Sequence, residues 1–240
     1  MIPRIFIKED LIENKEIELG EKNFHYIANV LRSKIDDEVI FVNGRDGEFL
    51  SKIIFLNNKR CNTIIIKKLK NYSKQEFLGL IFAPIQKIDI LLKSSTELGV
   101  TDFYPISTDY TNKIYTKLNK IEGNIIEAIE QSERLDFPNI NKILSLKEIL
   151  EKLNTENNII FFCEERTGKN SPLDVYKSMP IINKNIYCLV GPEGGFTEEE
   201  KKLIKSYKNT ISISLGNTIL RAETAVTSIL SIIKAFYIKS

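Results

Sequence analysis

Tryptophan is absent from this 240-residue sequence, histidine occurs once and cysteine three times. The missing tryptophan accompanies an abundance of Asn, Lys and Ile and carries no functional weight. His25 stands among apolar residues in an expected helix, the setting of a structural imidazole. One histidine and no paired cysteines leave no ligand set for zinc and no Cys-His or Ser-His dyad, so no metal is expected. Cys61, Cys163 and Cys188 lie far apart, each in an apolar run, which argues against a disulfide framework. No apolar run is long enough to cross a bilayer. The opening MIPRIFIKED lacks a secretory apolar region. The chain is therefore expected in the cytoplasm, away from membranes. Charge of one sign is also lacking. The 34 basic and 32 acidic residues leave +2, which neither demands nor excludes a nucleic-acid partner, because binding depends on where charges cluster.

What is present suffices for a core: 42% of residues are hydrophobic. The length suits two domains. Residues 2–7, 39–42, 48–55 and 63–68 read as strands and 24–32 as a short helix. Asn43-Gly44, Asp46-Gly47 and Asn57-Asn58 are turn signals. Several short strands in so few residues suggest a small barrel or sandwich. The polar run 71–76 is the expected linker.

Beyond it the rhythm changes. Residues 78–85, 159–163, 186–190 and 211–215 are near-continuous apolar runs, as in strands buried on both faces, and 103–106 is a shorter one. Helical spacing covers 87–98, closed by Gly99, and helices are also expected over 118–134 and 222–237. Alternating strand and helix predict an α/β domain with a parallel sheet.

Two segments carry the chemistry. The strand ending at Val190 runs into Gly191-Pro192-Glu193-Gly194-Gly195-Phe196, then Thr197, which with Glu200 forms a capping box opening a helix. Such a glycine turn lies at the carboxyl end of a sheet, where open α/β folds bind ligands. The pattern matches neither dinucleotide nor P-loop spacing. Glu193 and Glu198–Glu200 crowd a helix start that would otherwise suit phosphate, so a neutral or cationic ligand fits better, a sulfonium among them. A tight turn ahead of a well-capped helix accounts for the same residues, and on physics alone both readings stand. The second segment repeats the plan: a strand to Leu215, then Gly216-Asn217, then Thr218 to Ala225 opening a helix, with Arg221 and Glu223 at its start. Two such loops can form one pocket.

GPEGGF at 191–196 and LGNTILRAETA at 215–225 resemble the signature of the RsmE family, SPOUT-superfamily methyltransferases acting on N3 of a uridine in 16S ribosomal RNA. PRIFI near the start, HYIANVLR at 25–32, QKIDILLKSSTELGV at 86–100 and EQSERLDFPNI at 130–140 resemble family segments as well. The resemblance implies a PUA-like RNA-binding β-barrel over 1–72. It implies a SPOUT methyltransferase domain over 73–240, with a parallel sheet and a trefoil knot. It also implies S-adenosylmethionine as cofactor, the small ribosomal subunit as partner, and a homodimer built on the knotted region and last helix. The apolar face Val226, Ile229, Leu230, Ile233 and Phe236 suits such an interface and an ordinary core equally.

The implied roles follow. Uridine N3 becomes a strong nucleophile only when its proton leaves, so the site must stabilise the anion, remove the proton, or both. A methyl then passes from a cationic sulfur to an anionic nitrogen, so positioning and desolvation matter most. Arg221 is placed beside the anionic base oxygens. Glu223 is the nearest proton acceptor, with orientation of Arg221 or a helix cap as its plainer role. Backbone groups of Leu189, Gly191, Gly194, Gly195, Leu215, Gly216 and Leu220 hold the cofactor, because glycine lets the chain come close. Val190, Pro192, Glu193, Phe196 and Thr224 complete that set, and Ile219 with Leu220 walls the adenine or is simply core. Arg4, Arg32, Lys34, Lys87, Glu97 and Arg134 are the RNA-facing residues, with Arg45 a further basic position; phosphate contacts would make affinity salt-dependent. Two other readings compete. A ribose 2′-O methyltransferase sits poorly with the barrel domain and LRAETA. A non-enzymatic RNA binder sits poorly with intact GPEGGF and Arg221.

Overall fold

A computed structural model describes residues 2–111, 118–164, 170–178 and 184–237. The chain forms two compact units, one of residues 1–74 with 126–137, the other of 75–125 with 138–240.

The first unit is a five-stranded mixed sheet. Its strands are β1 (Arg4–Phe6), β2 (Glu16–Glu18), β3 (Glu38–Val42), β4 (Glu48–Leu56) and β5 (Cys61–Lys70), in the order β1-β3-β4-β5-β2. β1 and β3 run parallel and the other pairs antiparallel. Alternation along β3 and β4 sends Val39, Phe41, Phe49 and Ile53 into one core with Ile5, Ile17, Ile27 and Ile65. Between β3 and β4, the Asn43 side-chain oxygen accepts the amides of Arg45 (3.1 Å) and Asp46 (2.8 Å), building the expected turn. The expected helix at 24–32 begins earlier, as α1 (Glu21–His25), and continues as a π-helical turn over Tyr26–Val30. β2 was not anticipated; three residues with one apolar side chain give little period to detect.

The second unit is a parallel sheet. Its strands are β6 (Leu78–Phe82), β7 (Asp102–Ser107), β8 (Asn139–Ile140), β9 (Leu144–Ser145), β10 (Asn158–Cys163), β11 (Asn185–Val190) and β12 (Thr210–Ile213). The order is β12-β10-β11-β6-β7-β8, with β9 beside β7. Every residue of β6 is buried, as are all but the first of β11 and the last of β10, which is why these runs are apolar without alternation. The helices of this unit are α2 (Ile88–Glu97), the first half of α3 (Leu118–Ser132, which counts with the first unit from Ile126), α4 (Leu146–Leu153), α5 (Pro172–Ser178), α6 (Glu198–Ser206) and α7 (Ala222–Tyr237).

Val226, Ile229, Leu230 and Ile233 of α7 are buried within the chain itself, with α7 packed on α2 and β11. Of the apolar face singled out above, only Phe236 is exposed. Residues 165–169 and 179–183, between β10 and β11, lie outside the described residues, and the trefoil knot that the resemblance implies stays an expectation. Among the described residues no helix is long and apolar enough to cross a membrane, and no cluster of His, Cys, Asp and Glu could hold a metal ion.

Candidate active site

A cavity of about 670 Å³ opens at the carboxyl ends of β6, β10, β11 and β12. β11 delivers residues 190–196 to it, and the chain after β12 delivers Leu215, Gly216, residues 218–223 and Ala225. The two segments singled out in the sequence are thus two walls of one pocket. β10 adds Phe162, Cys163 and Glu164, the β6–α2 connection adds Gln86 and Lys87, and α6 adds Lys201.

The glycine loop has its shape for steric reasons. Gly195 takes φ +73°, a left-handed conformation that L side chains resist. At Gly191 a Cβ would come within 2.7 Å of the Phe196 ring, which is buried and meets Phe162 edge-on at 5.5 Å. The loop therefore folds back on its own phenylalanine. Gly191→Ala is expected to cost about 1–3 kcal/mol of stability by overpacking, and Phe196→Leu in the same chain should recover most of it. Urea unfolding of the three variants checks this; equal stability of wild type and Gly191→Ala would refute the packing account.

Thr197 and Glu200 form the expected capping box. The Glu200 carboxylate accepts the Thr197 amide at 2.9 Å, and the Thr197 hydroxyl accepts the Glu200 amide at 3.2 Å. Glu200 also accepts the Asp109 amide at 3.0 Å, and Glu198 pairs with Lys201 at 2.7 Å. Glu198 and Glu200 are therefore engaged in the cap and its surroundings, and none of Glu198, Glu199 and Glu200 lines the cavity. Among the described residues, the carboxylates that do are Glu164, Glu193 and Glu223, set against Lys87, Lys201 and Arg221. Glu198–Glu200 therefore do not set the charge of the pocket, and among the described residues its wall carries both signs, which suits a ligand with both an amino and a carboxylate group.

Arg221 is exposed at the entrance to α7, where its carbonyl accepts the Ala225 amide at 2.8 Å. Glu223 lies in the first turn with its side chain only 12% exposed, 3.8 Å from the Lys87 ammonium. Lys87, expected to meet RNA, is thus a cavity residue paired with Glu223. Glu164 is buried and paired with Lys205 of α6. Burial pushes the Cys163 thiol up to about 12, so it remains protonated and non-nucleophilic near neutral pH.

Leu189 and Thr224 are the two expected cofactor residues not on the cavity wall. Leu189 is fully buried in β11 and Thr224 is exposed on α7. Glu164, Phe162 and Lys201 were missed; the rule that ligands sit beyond strand carboxyl ends pointed equally to the run ending at Cys163. Of the RNA-facing set, Arg32, Lys34 and Glu97 are exposed, as is Arg45, which pairs with Asp10. Arg4 and Arg134 are not presented to solvent. Arg4 pairs with the buried Glu48 and with Glu133. Arg134 clamps Asp136 through Nε at 2.7 Å and Nη2 at 2.9 Å, with 4% and 5% of the two side chains exposed. Both are corrected from RNA contacts to internal ion pairs.

Residues 73–234 match an RNA methyltransferase domain model, and residues 19–66 match an RNA methyltransferase PUA domain model. A ribosomal RNA small subunit methyltransferase E from Rickettsia conorii is 39% identical over 225 residues, covering 92% of this chain and 91% of the relative. One of the same description from Buchnera aphidicola is 34% identical, covering 94% and 92%. Among solved structures, a ribosomal RNA small subunit methyltransferase E from Neisseria gonorrhoeae, bound to S-adenosyl methionine, superposes with a TM-score of 0.87. It is 24% identical and covers 98% of both chains. A putative methyltransferase from Legionella pneumophila in complex with SAM gives 0.86 at 23% identity, again covering 98% of each. At those identities the structural likeness speaks for the fold.

Proposed function

The chain belongs to the RNA methyltransferase family whose relatives are described as ribosomal RNA small subunit methyltransferase E, and from that premise we propose that it methylates N3 of a uridine in 16S ribosomal RNA, using S-adenosylmethionine. One observation carries this reading. The glycine loop 191–195 and the 215–221 segment meet around one cavity with Arg221 on its wall.

The residues fit the cofactor. A backbone-rich wall at 190–196, 215–216 and 218–220 allows close approach, and the mixed charges of Glu164, Glu193, Lys87 and Lys201 suit a molecule bearing both an amino and a carboxylate group. When bound, the cofactor supplies an electrophilic methyl group on a sulfonium. The protein's task lies with the base. Arg221 donates to the uridine oxygens that become anionic as N3 loses its proton. Glu223, held by Lys87, faces the same cavity two residues from Arg221 and is the carboxylate assigned to take that proton or to orient Arg221.

Residues 73–240 form the methyltransferase domain and residues 1–72 the PUA-like RNA-gripping domain, with Arg32 and Lys34 exposed to meet phosphate and Glu97 exposed in the second domain. The enzyme acts in the cytoplasm as a homodimer.

Thermal unfolding tests the cofactor assignment. At a hundredfold excess over Kd, S-adenosylmethionine should add about 2.7 kcal/mol, raising Tm by roughly 5–10 °C for a chain of this size. ATP should leave Tm unchanged. An equal shift with ATP, or none with S-adenosylmethionine, contradicts the proposal.

A further inference from the structure

We propose that Tyr110 is a stacking platform for a base of the RNA substrate, fastened beside the cofactor cavity by the cap of α6. The assignment rests on the RNA methyltransferase reading and extends it to a residue outside the motifs that support that reading.

Tyr110 follows β7 and is 55% exposed, a large aromatic face shown to water. Its backbone is nevertheless fixed. The Thr108 amide donates to the Thr111 hydroxyl at 2.8 Å, and the Thr111 amide returns to the Thr108 carbonyl at 3.1 Å. Between them, Asp109 donates its amide to Glu200 at 3.0 Å and accepts the Thr197 hydroxyl at 3.3 Å. The two residues that cap α6 thus also hold the β7 loop, one position before the ring.

The ring's root lies on the glycine loop. A Cβ at Gly194 would meet the Tyr110 Cβ at 3.1 Å and its Cγ at 3.3 Å. Gly194 is part of the cavity wall, so its missing side chain lets the tyrosine press against the outside of that wall. A single exposed apolar side chain needs no explanation by itself. An exposed aromatic anchored on both sides, next to the pocket to which a nucleobase must be brought, has one. Unpaired RNA bases are recognised largely by stacking on aromatic side chains, which hold any base by its π-face. Tyr110 would supply contact area where Arg221 supplies charge.

The absence of tryptophan from the sequence makes the test direct. Tyr110→Trp places a single indole at the site. Its emission should be quenched by an unmethylated small-subunit RNA fragment and left unchanged by S-adenosylmethionine alone. Tyr110→Leu keeps bulk over Gly194 but removes the π-face. It should weaken RNA binding about tenfold with unchanged cofactor affinity, while Tyr110→Phe should bind as wild type does. RNA affinity retained in Tyr110→Leu, an indole indifferent to RNA, or a loss in Tyr110→Leu confined to cofactor affinity would each overturn the assignment. Methyl transfer by the wild type to the same RNA is assayed in parallel. Transfer that proceeds while the Tyr110 variants show no RNA phenotype overturns the stacking role alone; absent transfer with intact stacking counts against the methyltransferase reading.

Discussion

Arg221→Ala should slow single-turnover methyl transfer by about a hundred- to a thousandfold while S-adenosylmethionine still binds. The magnitude is that of removing one preorganised donor from a developing anion. Arg221 stands immediately before α7, and its structural contribution is made by its backbone carbonyl, which alanine retains. Among the described residues its guanidinium has no ion-pair partner, so the substitution strands no buried carboxylate. Lys87 remains paired with Glu223 and cannot replace it in the same geometry. Arg221→Lys should restore only part of the rate, because an ammonium offers a point charge where the guanidinium offers a planar fork. Rapid-quench measurement at saturating cofactor separates the possibilities. An unchanged rate would remove Arg221 from the chemistry. A defect confined to cofactor affinity would reassign it to the cofactor carboxylate.

Arg134→Ala should lower the unfolding free energy by about 3–5 kcal/mol, the usual consequence of leaving one member of a buried pair uncompensated. The pair is bidentate and almost wholly withdrawn from water, so the Asp136 carboxylate would remain in place without its partner. Replacing both residues, Arg134→Met with Asp136→Leu, should recover much of the loss, since two apolar side chains of similar volume avoid the desolvation penalty. Urea denaturation of the single and double variants measures both effects. Weakened RNA binding in Arg134→Ala with unchanged stability would return Arg134 to the RNA interface.

The parts legible in the sequence are those specified by local pattern. The apolar runs became β6, β10 and β11, the Thr197–Glu200 box caps α6, and α7 occupies 222–237 as read. The two glycine-bearing loops do share a pocket. What the sequence hid depends on tertiary partners. Nothing around Arg134 announces that Asp136, two residues on, folds back to clamp it. The run ending at Cys163 marks a strand end, but that Glu164 closes the same cavity as Gly191 depends on β10 lying beside β11, and strand order is not written in any one strand. The helix α4 is a different case. Ser145 and Glu148 form a capping box, with Leu146, Ile149, Leu150 and Leu153 at helical spacing, a signal carried by the local sequence itself. The acidic helix start misled for a definite reason: Glu198 and Glu200 are engaged by Lys201, Thr197 and Asp109, so their charge is not directed into the pocket. Uridine as substrate came from the resemblance of GPEGGF and LRAETA to a family, not from spacing.

The central claim is methylation of small-subunit RNA, and mass spectrometry of that RNA addresses it most directly. Nuclease digests from a strain lacking the gene should lose one fragment bearing an N3-methylated uridine. The fragment should return when the wild-type gene is restored and stay absent with the Arg221→Ala gene. A methylation pattern identical with and without the gene would contradict the account.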